Sequence, residues 1–117
     1  MGTSYVEFRQ NGFWTRDSLL ADWLTTLIDE MRSASNENDW SLPLIKHWER
    51  QREIDGGCMA LDLDGFLSDD EKRGFVIAAA EPALMRTSDA SKRTGQLFVA
   101  LSRGRVKTDA SSPIDYL

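Results

Sequence analysis

Leu19, Leu20, Trp23, Leu24, Leu27, Ile28 and Met31 recur at spacings of three and four along the chain. That period predicts an amphipathic helix from about Arg16 to Ala34, with Thr15 as its N-cap and Trp14 stapled onto Leu19. Residues 33–41 are polar and read as a loop. A second helix follows Ser41, with Pro43 tolerated in its first turn and a short apolar stripe of Leu44, Ile45 and Trp48, extended by Ile54. Gly56 and Gly57 stop it. Ser68 and Glu71 match a capping box at the start of a third helix, whose buried face comprises Phe75, Val76, Ala79, Ala83 and Leu84. Gly74 and Ala78 to Ala80 offer a close approach to a neighbouring helix, and Pro82 predicts a kink or a restart. Residues 91–102 fit a helix through Thr94, Leu97, Phe98 and Leu101. They also fit a short strand that would pair with the alternating Val6 and Phe8, and the helix is the preferred reading.

These elements predict a compact all-α bundle of four to five helices, with an α+β fold carrying a small hairpin built from the termini as the alternative. At 117 residues the chain has room for one core, so residues 1–117 are expected to form a single domain. Eleven aromatic residues, four of them tryptophan, supply the bulk for that core. Trp14, Trp23 and Trp48 have natural core positions. Trp40 instead sits among Asn36, Glu37, Asn38 and Asp39, which suits either a lid over the helix ends or an interface anchor. The tail carries Ile114, Tyr116 and Leu117, which have the character to dock on the body.

Charge changes the picture more than composition does. Net charge is −5, from 19 acidic and 14 basic residues. The imbalance is uneven: residues 1–71 hold 15 acids and 6 bases, whereas residues 72–117 hold 4 acids and 8 bases. The bland reading folds one half against the other. The sharper one gives the acidic half a field that steers a basic partner. Lys92, Arg93, Arg103, Arg105 and Lys107 form a basic cluster, but only Phe98 accompanies it as an aromatic and the whole chain is acidic. Nucleic acid is therefore disfavoured. Lacking an apolar run of bilayer length, a basic-apolar leader or a second cysteine beside Cys58, the sequence reads as cytoplasmic, with no membrane partner.

Residues 59–67 read Met-Ala-Leu-Asp-Leu-Asp-Gly-Phe-Leu. This resembles the first motif of the haloacid dehalogenase-like phosphatases, an apolar strand ending in Asp-x-Asp-Gly-Thr. The resemblance implies Asp62 as nucleophile, Asp64 as general acid and a Mg²⁺ ion between them. The chain departs from the pattern in having Phe66 for the threonine and no later strand with paired aspartates. The segment also resembles an EF-hand loop, with Asp62 and Asp64 as ligands, Gly65 at the sharp turn and Glu71 as the closing bidentate ligand. Ala60 stands where the first carboxylate belongs. A turn leading into a capped helix, anchored by Leu61, Leu63, Phe66 and Leu67, accounts for the same residues apart from the need for both aspartates, and is preferred. His47 and Cys58 are each alone of their kind, too few for a zinc site and without an orienting motif for a nucleophile pair.

The resulting expectation is a non-enzymatic protein-binding module of inhibitor or immunity type, needing no cofactor and leaving self-association open. Its partner is another protein, met by Trp40, Asp62, Asp64, Asp69, Asp70 and Glu71. The alternative is a divalent-metal protein or Mg²⁺-dependent phosphatase-like enzyme built on Asp62 and Asp64.

Overall fold

A computed structural model describes residues 3–34, 40–53 and 60–104. The expectations for Asn36 to Asp39, Ile54, Gly56, Gly57, Cys58, Arg105, Lys107 and the tail lie outside the described residues. In chain order the elements are β1 (Thr3–Phe8), β2 (Asn11–Arg16), α1 (Asp17–Ala34), α2 (Ser41–Arg52), α3 (Leu63–Phe66), α4 (Asp70–Arg86) and α5 (Asp89–Ser102). The fold is therefore mostly helical, as the bundle reading expects, and it carries a small two-stranded hairpin, which fits the α+β alternative. Strands β1 and β2 form an antiparallel hairpin at one end of the chain, with Tyr5 opposite Trp14 and Val6 opposite Phe13. Residues 94–101 lie within α5 and do not pair with Val6 and Phe8.

The hairpin obeys the period-two rule once it is in view. Ser4, Val6 and Phe8 on β1, with Phe13 and Thr15 on β2, are buried, while Glu7 and Trp14 face out. Arg9 and Gln10 make the turn with φ of 52° and 71°. Positive φ at both central residues is what a type I′ hairpin turn requires. Thr15 is thus a strand residue, not a cap; its hydroxyl meets that of Thr94 at 2.9 Å in the interior. Trp14 is exposed and packs on Tyr5 across the hairpin, so it does not take the core position expected of it.

Helix α1 is the central element, touching α2, α4, α5 and both strands. Its predicted stripe is buried from Leu20 to Met31, with Leu19 half-buried at the edge. Each such side chain contributes on the order of 2 kcal/mol when fully buried. The close helix contact comes from Gly95, not from Gly74. A Cβ on Gly95 would lie 2.6 Å from the Trp23 ring and 2.8 Å from Leu84, whereas one on Gly74 would meet nothing within 4 Å. Helix α4 runs through Pro82, which is exposed along with Ala78, so water can reach the carbonyl that the proline cannot bond. Its N-cap is Asp69, whose carboxylate accepts the Lys72 amide at 2.8 Å, one residue later than the expected Ser68 cap. Ser88 caps α5. Ser88 and Ser91 donate hydroxyl hydrogen bonds to Asp22 on α1 at 2.7 and 2.6 Å. These bonds, that from Ser88 first, hold the Asp22 carboxyl below its usual range.

Candidate functional site

The connector between α2 and α4 is clamped from one side by α2. His47 Nε2 donates to the Ala60 carbonyl at 2.7 Å, and the Trp48 indole donates to the Leu61 carbonyl at 2.8 Å. The Gln51 side chain accepts the Ala60 amide at 2.9 Å. The His47 ring also packs on Phe66, with centroids 5.6 Å apart. Leu61, Leu63 and Leu67 are buried beneath, as the anchoring reading requires. His47 therefore holds a backbone in place.

Both aspartates now have a local reason to be present. Asp62 adopts the left-handed conformation, φ 54° and ψ 48°, which aspartate tolerates better than most side chains. Its carboxylate folds across Gly65, where a Cβ would come within 2.7 Å of it. Asp64 accepts the Arg9 amide at 2.8 Å and so braces the hairpin turn from 55 residues away. Asp62 does not end a strand; it precedes the single turn of α3. Among the described residues no group of three or more His, Cys, Asp or Glu side chains converges as a metal site would need.

The other four expected site residues meet at the start of α4, with Asp69, Asp70 and Glu71 on it and Trp40 reaching it from the start of α2. Trp40 is half-buried, its ring edge-on to Phe75 at 5.2 Å and beneath the Lys72 ammonium at 5.8 Å. Asp69 is occupied as the cap, and Asp70 pairs with Arg73. Glu71 is exposed, and all three acids sit where the helix N-terminus favours negative charge. Asp62 and Asp64 are placed instead against the hairpin. The six residues thus divide into two groups.

The second group opens onto a cleft of about 390 Å³ between the outer face of the hairpin and residues 60–64. Tyr5, Glu7 and Trp14 form one wall, and Asp62 and Asp64 the other. Among the described residues no lysine or arginine lines it. Among the described residues neither the Glu7 nor the Asp62 carboxylate has a hydrogen-bonding or ion-pair partner. The groove between α1 and α2 differs. There Arg32 pairs with Glu49 at 2.7 Å, and Arg86 pairs with Asp29 at 2.8 Å and Glu30 at 2.6 Å. Its charges neutralise one another; those of the hairpin cleft do not. Sequence reading missed Tyr5, Glu7 and Trp14. Their only signal was the alternation of residues 3–8 facing a second alternation at 11–16. No family model, curated protein or solved structure matches this chain. Among the described residues no helix is long and apolar enough to cross a membrane.

Proposed function

We propose that this chain is a non-enzymatic module that binds a basic protein partner, in the manner of a small acidic inhibitor or immunity protein. The observation that carries the reading is the cleft that Glu7, Asp62 and Asp64 all line, with no lysine or arginine among its described lining residues. Unneutralised carboxylates in a concave, partly apolar site focus a negative field and raise the encounter rate of a positive partner. The phosphatase-like and calcium-binding alternatives call on the same aspartates. Their local duties, bracing Arg9 and turning the chain at Asp62, account for both without a metal.

Calorimetric titration with blocked tetra-lysine, tetra-arginine and tetra-glutamate peptides tests the reading. The basic peptides bind, the acidic one does not, and Glu7→Lys weakens the binding. Glu71→Lys, on the α4 patch, measures what the other acidic group contributes. Indifference to all three peptides, together with Mg²⁺-dependent hydrolysis of p-nitrophenyl phosphate lost in Asp62→Asn, would establish the enzymatic alternative instead.

A further inference from the structure

Resting on that reading, we infer that the hairpin cleft is an arginine-recognition site, which takes a guanidinium from a partner protein against the Tyr5–Trp14 pair. Trp14 is 36% exposed, and its ring lies 5.0 Å from that of Tyr5 with the planes inclined by 50°. Of the other three tryptophans, Trp23 and Trp48 are fully buried and Trp40 is half-buried against Phe75. The hairpin pair instead stands on the face turned away from the core, beside the carboxylates of Glu7 and Asp62.

An aromatic wall and facing carboxylates select one kind of cation. A guanidinium is planar and weakly hydrated. It stacks on an indole while its five N–H groups fan out to carboxylate oxygens. An ammonium is a compact, strongly hydrated point charge that gains less from a ring face. The source is a protein segment and not free arginine. The charged groups among the described lining residues are all carboxylates, so the α-carboxylate of the free amino acid would meet like charge there. A volume of about 390 Å³ also exceeds one guanidinium and leaves room for the flanking side chain and backbone.

The test is a titration of ¹⁵N-labelled protein with blocked tetra-arginine, tetra-lysine and tetra-citrulline peptides, following the indole N–H signals. The Trp14 signal is identified by its absence in Trp14→Phe. Tetra-arginine is expected to move the Trp14 signal and to bind about tenfold more tightly than tetra-lysine. Trp14→Leu should erase that preference, Trp14→Phe should keep most of it, and the neutral citrulline peptide should not bind. Glu7→Gln with Asp62→Asn should weaken tetra-arginine by at least as much; asparagine tolerates the left-handed backbone at 62, so the connector is kept. Equal binding of the two basic peptides, or shifts confined to Trp40 and the start of α4, would overturn the arginine site while leaving a basic-partner module standing. Tight binding of tetra-citrulline would also overturn it. If neither basic peptide bound, both the site and the reading beneath it would fall.

Discussion

Single residues decide several features that their chemical type alone does not announce. Gly95 looks like a helix breaker, yet its missing side chain lets α5 close onto Trp23 and Leu84. Gly95→Ala should therefore destabilise despite alanine's better helix propensity, by about 1–3 kcal/mol of overpacking, read as a lower midpoint in a circular dichroism melt. Gly74→Ala, in open space on α4, should instead stabilise by about 1 kcal/mol. Asp22 makes an acid-sensitive pin. Its carboxyl is held low in the folded state by Ser88 and Ser91, so the native form binds fewer protons than the unfolded chain just below the unfolded value of about 3.9. The stability it contributes is present above that pH and is lost as pH falls through the folded pKa. Melting midpoints of Asp22→Asn across acidic pH should fall less steeply than those of the native chain. An equal slope would show that Asp22 is not the group responsible. Asp64 was legible as a candidate because Asp-x-Asp-Gly is conspicuous. Its partner, the Arg9 amide, was not, since no local pattern joins residues 55 apart.

At the scale of elements, legibility followed periodicity. The α1 stripe needs no tertiary information, because seven apolar positions at helical spacing allow only one buried face. Residues 91–102 were harder, since an apolar run such as Leu97 to Leu101 fits a strand as well as a helix until Ser88 is seen to cap it. The pairing of residues 3–8 with 11–16 escaped because its turn is Arg9-Gln10, with neither the glycine nor the asparagine that usually marks a type I′ turn. Two non-glycine residues at positive φ cost free energy that the fold must offset, in part through the Asp64 brace. Arg9→Asn with Gln10→Gly should therefore raise stability by about 1 kcal/mol, measured by chemical denaturation. Asp64→Ala should lower it by about as much through the lost acceptor. An unchanged midpoint in the first variant would mean that the turn is not strained.

For the whole molecule, the acidic excess is distributed rather than uniform. Most acids on α1, α2 and α4 are matched by a neighbouring arginine, as in Arg32–Glu49, Arg103–Glu81 and Arg86–Asp29. Exposed pairs of this kind contribute little to stability, but they remove those acids from the outward field. Glu7 and Asp62 are among the described acids without such a pair, and the cleft gathers them beside Trp14. That juxtaposition could not be read from the sequence, which spreads its walls over residues 3–14 and 60–64 and offers no motif for a hairpin docking against a connector. What the sequence did carry was the acidic excess itself. The most direct measurement is the affinity for a blocked tetra-arginine peptide across rising salt, in the native chain and in the Glu7→Gln, Asp62→Asn variant. The native chain should bind and weaken steadily as the Debye length shrinks from about 10 Å at 0.1 M salt, while the variant binds poorly at every concentration. Affinity that ignored both the salt and the two substitutions would contradict recognition by this acidic cleft.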